Sequence, residues 1–443
     1  MPVELTTTDT NFEAAFAAFL AVRREPDDDV SEIVAAIIAQ VKQRGDDAVI
    51  DYTRQFDRHE LRPETLAVTS DEIATAVTKC DPAALQALVL ASTRIREFHT
   101  HQKPASLSYT DSAGVLLGYR WTAVAAVGLY VPGGTASYPS SVLMNAVPAK
   151  VAGVPRLVMV VPTPDGVLNP LVLAAAKIAG VDEIYRIGGA QAIAALAHGT
   201  ATIAPVDKIV GPGNAYVAAA KRQVFGIVGI DTIAGPSEIL VVADGANDPS
   251  WIAADLLAQA EHDPSAQSIL ITDDRTFAER VVATVHEQLA TLPRAPIARA
   301  SWENHGAIII VNSMDQAIPL IDRIAPEHLE LAIEHPGAFA ARVHNAGAIF
   351  LGRHTPEALG DYVAGPNHVL PTGRSARFAS GLSVLDFVKR STVLACDPQS
   401  LQAIGPAAAT LAEAEGLHAH QRSVLLRTPV PPNPQPSPQP GTS

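Results

Sequence analysis

"AVAAVGLYVPGGTASYPSSVLMNAVPAKVAGVPRLVMVVPTP", residues 123–164, decides the fold class. It opens with an apolar run of the buried-strand kind that enters a glycine turn at Gly133 and Gly134. Residues 140–154 then carry a helical pattern, and residues 156–161 form a second continuous apolar run. A buried strand, a helix and a second buried strand make a βαβ unit, and hence a parallel sheet. Working outward, the alternation continues through "LVLAAAKIAG", "DEIYRIGG", "AQAIAALAHG", "DKIVGPG", "NAYVAAAKRQVFG" and "SEILVVADG". It resumes after Gly245 with "WIAADLLAQAEHD", "SILITDD", "TFAERVVATVHEQLATL", "GAIIIVN", "QAIPLIDRIAP" and "AGAIFLG". Two successive βαβ-type halves predict an α/β fold with open parallel sheets, and ligands beyond the carboxyl ends of the strands.

The flanks read differently. "VSEIVAAIIAQVKQRGDDAVIDYTRQF" places apolar residues at helical spacing, with Gly45 as a stop, so the first hundred or so residues are mainly helical. A last helix, "LQAIGPAAATLAEAEG", precedes "LHAHQRSVLLR". The terminal "PVPPNPQPSPQPGTS" is too rich in proline to form a core and reads as a disordered tail.

A chain of 443 residues can hold two or three domains with sizeable cores. Its 32 basic and 46 acidic residues leave a formal charge of -14 without any basic stripe, which argues against nucleic acid and for small-molecule ligands. Cys80 and Cys396 stand far apart and outside any CxxC spacing, the usage of a reducing compartment. The start lacks a basic region ahead of its short apolar run, and no stretch approaches the roughly 20 uninterrupted apolar residues of a membrane span. A cytoplasmic protein is expected.

Several stretches could carry chemistry. In "DLLAQAEHDPSAQ", Asp255, Gln259 and His262 share one face if the helix runs through His262, though a histidine near a helix carboxyl end is also an ordinary dipole partner. "YVPGGTASYPSS" and "VGPGNAYV" put glycines between a strand and a helix, where backbone can approach a phosphate, but neither is a GxGxxG fingerprint. In "IAPEHLEL", Pro326 followed by Glu327 reads as a helix start, with Glu327 and His328 about 100° apart around the axis. Such a pair could serve two proton transfers on one substrate. "ALGDYVAGPNHVLPTGRSARFASGLSVLDFVKR" has the length and polarity of a functional loop, with Asp361 and His368 as candidate ligands or bases. "AEGLHAH" adds Glu415, His418 and His420.

Taken together and in order, "VGLYVPGGTASYPSSVLMNAVPAKVAGV", "IAGPSEILVVAD", "AQAEHD", "APEHLEL", the long loop and "EGLHAH" closely resemble the histidinol dehydrogenases. The resemblance runs from "RIREFHTHQKP" to "LLR". It implies oxidation of L-histidinol to L-histidine through an aldehyde with two NAD, at the end of histidine biosynthesis. It implies a zinc site of Gln259, His262, Asp361 and His420, and an acid/base pair of Glu327 and His328. Substrate contacts fall on Ser237 and Glu415 together with those six residues, and Tyr130, Gln191 and Asn214 lie beside NAD. His418 does not align with the ligand position, and His368 has no matched metal role.

The same resemblance implies two incomplete Rossmann-like sheets, with a helical N-terminal region and a small C-terminal domain. The division expected is an N-terminal arm over 1–30, a discontinuous domain over 31–125 with 237–385, a second over 126–236, a helical domain over 386–430 and a tail over 431–443. It further implies a homodimer in which Glu415 and His420 serve the other subunit's site. An oxidoreductase for another alcohol is disfavoured because Gln259, His262, Asp361, Glu415 and His420 are all present, a set suited to a substrate chelating through imidazole and amine. A zinc hydrolase lacks its HExxH, and a non-catalytic binding protein would not need both base candidates.

Overall fold

The computed structural model of the chain describes residues 2–22, 30–133, 138–233 and 235–428. The proline-rich tail and Gly134 lie outside them. Two compact units are formed, Met1–Lys103 with Ala123–Phe387, and Pro104–Thr122 with Val388–Ser443. In chain order the described strands are β1 (Val3–Thr6), β2 (Leu107–Thr110), β3 (Leu116–Ala123), β4 (Ala126–Tyr130), β5 (Arg156–Val160), β6 (Glu183–Tyr185), β7 (Lys208–Val210), β8 (Gly229–Ile230), β9 (Glu238–Ala243), β10 (Gln267–Thr272), β11 (Ala307–Ile310), β12 (His328–Ala332), β13 (Ala348–Leu351) and β14 (Val388–Ala395).

The first unit holds two parallel sheets, so the α/β class expected from the sequence is the one found. One sheet runs β6-β5-β4-β7-β8 and the other β1-β11-β10-β9-β12-β13. Leaving aside β1, which the N-terminus adds beside β11, both follow one winding: the first strand lies central, the next two step outward one way, and the last two step the other way. The winding reverses between β4 and β7, and between β9 and β12, the positions where crevices open in such sheets.

Alternation along each strand divides the cores. Val127 and Leu129 of β4 pack with the helices Pro139–Ala152 and Pro170–Ala179, while Ala126 and Tyr130 face the helices Ser31–Arg44, Gly189–His198 and Ala215–Val224. In the larger sheet, Leu240 and Val242 face the helices Phe12–Ala21 and Ala317–Ile324. Ile239, Val241 and Ala243 face Pro249–Ala260 and Arg275–Leu289. Each fully buried aliphatic side chain contributes about 1.5–3 kcal/mol, so the two-sided burial of both sheets dominates stability.

The second unit is a three-stranded sheet, β14-β3-β2, with the helices Pro398–Ala414 and His418–Leu425. β2 and β3 pair antiparallel, and the Arg390 guanidinium lies 5.6 Å from the ring centre of Tyr119 and 5.9 Å from that of Trp121. The side chain of Asp397 caps the first of these helices by accepting from the Ser400 N–H at 2.7 Å. Among the described residues no single helix is long and apolar enough to cross a membrane. Both cysteines are free thiols.

Candidate active site

The helix start expected at Pro326 is not what the chain forms. The Ala317–Ile324 helix ends on Ala325 with φ 47, and Pro326 and Glu327 lead into β12. Strand geometry wins because residues 328–332 alternate: Leu329 and Leu331 face one core, while His328, Glu330 and Ala332 face the other. Proline preceding an acidic residue is compatible with either structure, and the period of two decides it.

Glu327 and His328 are both anchored on Glu238, at the start of the neighbouring β9. The Glu238 N–H donates to Glu327 Oε2 at 2.9 Å, and His328 Nδ1 lies 2.9 Å from the Glu238 carbonyl oxygen. A carbonyl only accepts, so Nδ1 carries the proton and Nε2 keeps its lone pair. That Nε2 is buried without a hydrogen-bond partner, with Glu357 Oε1 at 3.5 Å and Asp361 Oδ1 at 3.9 Å. Burial lowers the proton affinity of His328 and outweighs the nearby Asp361 charge, so the ring is neutral at neutral pH. Burial acts oppositely on Glu327 and raises its proton affinity well above the carboxylate range, against the Glu238 N–H bond and with the charges of Glu238, Asp361 and Glu357 adding to it.

The helix Pro249–Ala260 stops earlier than its sequence suggested. Glu261 caps it and His262 lies beyond, its N–H donating to the Gln259 carbonyl at 3.2 Å. Pro264 explains the stop, because the residue before a proline avoids the helical region. Gln259 is 1 % exposed and its Oε1 has no hydrogen-bond partner. An amide oxygen left so costs about 1–3 kcal/mol, a deficit that a bound cation removes.

Asp361 sits in the short helix Glu357–Tyr362, one turn after Glu357, and a carboxyl oxygen of each lies within 4.8 Å of the other. The helix rests tightly on β13, since a Cβ on Gly360 would lie 2.6 Å from the Phe350 ring. His368 Nδ1 bonds the Asp361 carbonyl at 3.0 Å, and its Nε2 lies 3.4 Å from Ser141 Oγ. His262 is close enough to both His328 and His368 to disfavour their protonated forms. One atom from each of His328, Glu357 and Asp361 falls within 4.8 Å of the others, a spacing that could hold a metal ion. An unpaired amide oxygen, a carboxylate and imidazoles form a donor set that fits zinc.

The second cluster lies at the carboxyl edge of the smaller sheet. Tyr130 ends β4, is buried, and accepts the Gly189 N–H at 3.2 Å, while burial pushes its phenol up to about 12. Gln191 is 1 % exposed with an unpartnered Oε1. Asn214 caps the Ala215–Val224 helix, accepting from the Val217 N–H at 3.2 Å. Gly211 has φ +114, and a Cβ there would lie 2.1 Å from the Tyr130 carbonyl oxygen, so only glycine lets the loop close onto β4. The buried Lys221–Asp231 pair holds that loop, with Lys221 Nζ donating to the Gly211 carbonyl and Asp231 Oδ2 accepting the Gly211 N–H. A cavity of about 230 Å³ opens alongside, between Pro132, Gly133, Pro162, Leu168 and Asn169.

A family model described as histidinol dehydrogenase matches residues 21–428. The chain belongs to the histidinol dehydrogenase family. It is 67% identical over 428 residues to a histidinol dehydrogenase of Rhodospirillum rubrum, across 96% of this chain and 99% of that protein. It is 64% identical over 427 residues to one from Mesorhizobium japonicum, across 96% and 99%. The crystal structure of histidinol dehydrogenase from Elizabethkingia anophelis matches its fold with a TM-score of 0.92 at 36% identity, covering 96% of this chain and 98% of that one. The resemblance drawn from the motifs therefore stands, and the chain is an oxidoreductase of this family.

Of the positions implied by the histidinol dehydrogenase resemblance, the first unit brings Glu327, His328, His262 and Asp361 together. Ser237 directly precedes β9, its carbonyl accepting the Gln267 N–H at 3.0 Å. Glu415 and His420 belong to the second unit, where Glu415 caps the Pro398–Ala414 helix and His420 is exposed in His418–Leu425. Tyr130 and Asn214 lie at and beyond the carboxyl ends of β4 and β7, the side where the sequence predicts ligands. Glu327 and His328 do not: they stand at the amino end of β12. Helices in a βαβ unit run back against the strands, so the end of the Pro249–Ala260 helix delivers Gln259 and His262 to the amino edge. Sequence reasoning missed Glu357 and Glu330. The i,i+4 spacing of Glu357 and Asp361 and the period-two step from His328 to Glu330 were the available signals.

Proposed function

We propose that this chain oxidises L-histidinol to L-histidine through the aldehyde, using two NAD, water and one zinc ion per subunit, in the last steps of histidine biosynthesis in the cytoplasm. The observation that carries the reading is the buried, unpartnered Nε2 of a neutral His328 beside Glu327, in a chain related end to end to histidinol dehydrogenases.

Zinc, held by Gln259, His262, Asp361 and the partner's His420, would supply a template for the imidazole and amine of the substrate. Ser237 and the partner's Glu415 would complete the substrate contacts in a homodimer. Tyr130, Gln191 and Asn214 would flank NAD, which would supply the hydride acceptor for each oxidation. His328 takes the alcohol proton on Nε2 while Nδ1–H stays fixed on the Glu238 carbonyl. That bond holds the tautomer and steadies the imidazolium that forms. Glu327, whose high proton affinity makes it a strong base once ionised, removes a proton from the water that adds to the aldehyde. The resulting hydrate loses the second hydride.

Counting NADH formed per L-histidinol, with and without a chelator, tests the whole reading. Two NADH per substrate, lost on chelation, are expected; no NADH from L-histidinol would overturn it.

A further inference from the structure

The stretch "RIREFHTHQKP", residues 94–104, opens the region that resembles the histidinol dehydrogenases, yet the proposed chemistry uses none of it. It closes the helix Pro82–Thr100, and one face of it, with Arg94, Phe98 and Gln102 at successive turns, holds the segment 363–369. Asp361 stands two residues before that segment and His368 lies inside it. The Arg94 guanidinium donates to the carbonyl oxygens of Val363 at 2.7 Å and Ala364 at 3.1 Å. Gly365 follows with φ +116, and a Cβ there would lie 3.1 Å from the Arg94 carbonyl oxygen and 3.4 Å from Phe98 Cβ, so the backbone comes down on the helix at a glycine. Asn367 Nδ2 lies 3.5 Å from Nε2 of the fully buried His99, whose Nδ1 is 2.6 Å from Gln102 Oε1.

Asn367 also fills a place that the sequence prepares for it. Pro148 lies inside the helix Pro139–Ala152, and having no N–H it leaves the carbonyl four residues earlier, that of Met144, without its helical donor. Met144 is fully buried, where an unmatched carbonyl is costly. The Asn367 amide supplies the donor, with Nδ2 2.6 Å from the Met144 carbonyl oxygen, while its Oδ1 accepts the Val369 N–H at 2.8 Å. That side chain therefore fixes the backbone on both sides of His368, and His368 in turn bonds the Asp361 carbonyl at 3.0 Å. The Glu357–Tyr362 helix has only six residues, too few to hold its own place, so its position depends on such tethers. We propose that Asn367, seated on the Met144 carbonyl that Pro148 frees, and Arg94, tied to Val363 and Ala364, are positioning residues that fix Asp361 and His368 at the site. The proposal rests on the zinc reading above.

The test measures zinc affinity of the chelator-stripped full-length protein by competition with a metal indicator, beside NAD affinity and thermal unfolding of the zinc-free form. Pro148→Ala gives position 148 an N–H for the Met144 carbonyl and removes a helix-breaking ring, so the zinc-free variant is expected to unfold at the same temperature or higher. Asn367 loses its seat, and zinc is expected to bind about tenfold more weakly. A merely structural role would move stability and zinc affinity together. Arg94→Ala alters an exposed side chain and keeps the fold; it too is expected to weaken zinc about tenfold. In both variants NAD affinity is expected to stay within about twofold, because Tyr130 faces the other side of β4 from the Pro139–Ala152 helix. Asn367→Ala is expected to weaken zinc at least as much as Pro148→Ala, and the double variant no more than Asn367→Ala alone. Unchanged zinc affinity in Pro148→Ala overturns the role of Asn367, and in Arg94→Ala that of Arg94. Parallel loss of zinc affinity, NAD affinity and stability marks a general loosening and overturns both. Failure of the unmodified protein to bind zinc instead overturns the metal reading, and these roles with it.

Discussion

Glu357 Oε1 stands 3.5 Å from His328 Nε2, and neither buried atom has a hydrogen-bond partner among the described residues. Two polar atoms facing each other, each without a protein partner, define the polar centre of this cluster. The adjoining carboxylate of Asp361, 3.9 Å from the same Nε2, gives that place its negative charge.

Replacing His328 by Asn removes the proposed base but keeps a polar side chain. Alcohol oxidation is expected to fall about 10²–10⁴-fold in kcat, with the KM for NAD little changed because Tyr130 and Asn214 lie on the other sheet. Since burial lowers the proton affinity of His328, the unmodified enzyme is expected to hold its alcohol-oxidation rate below about pH 6.5, and to lose it only at more acid pH. A steady-state pH profile checks this; an acid limb at or above the ordinary histidine range would contradict a neutral, buried base.

Glu327→Gln separates the two halves of the reaction. Oxidation of L-histidinal is expected to suffer more than oxidation of L-histidinol, and stopped-flow NADH formation from each substrate measures the ratio. Equal losses would mean that Glu327 and His328 do not divide the proton transfers as described.

Burial raises the proton affinities of Glu330 and Glu357 to about 9, reinforced by Asp255 in the first case and by Asp361 in the second. The folded values lie above the unfolded ones. The associated stability is therefore complete below the ordinary carboxylate range and is lost as pH rises towards the folded values. The thermal midpoint of zinc-free protein is expected to drop between about pH 6 and pH 9, and less steeply in Glu330→Gln. A midpoint that climbs across that interval would show these carboxyl groups to be ionised in the folded chain.

His420 and His418 differ in what they are expected to bind. His420→Asn is expected to purify with little zinc and His418→Asn with a full complement, measured as metal per chain by atomic absorption. Equal retention would remove His420 from the ligand set.

Gly211→Ala places a Cβ against the Tyr130 carbonyl at a backbone angle that alanine resists. A loss of about 1–3 kcal/mol is expected, together with weaker NAD binding, read from denaturant unfolding and from nucleotide titration. Unchanged stability and affinity would show that the loop can relax away from β4.

What the sequence made legible follows from how its elements are buried. β4, β5, β9 and β10 are covered on both faces, so they read as unbroken apolar runs, and the intervening helices carry their own period. β12 was obscured because His328 and Glu330, two buried polar residues, stand where a strand of this kind usually places aliphatic side chains. β1 and β14 were invisible for another reason: Val3–Thr6 is four residues long, and β14 is mostly exposed, so pairing partners rather than composition define them. The motifs nominated Glu327, His328, Gln259, His262 and Asp361 as site residues without any geometry. Glu330 belongs to no motif, and only its burial on the His328 face of β12 singles it out.

Glu238 reaches both Glu327 and His328, the proposed acid/base pair, through its main chain, offering its N–H to one and its carbonyl to the other. Single-codon changes at position 238 can alter the side chain but leave these amide groups in place. The orientation of these two side chains is thereby insulated from point mutation at its own anchor. Sequence drift could reach it only by displacing the whole strand, which six-stranded packing opposes. An engineer retuning substrate choice in this pocket inherits that robustness: side chains around it can be randomised while the proton-handling geometry is carried by the backbone.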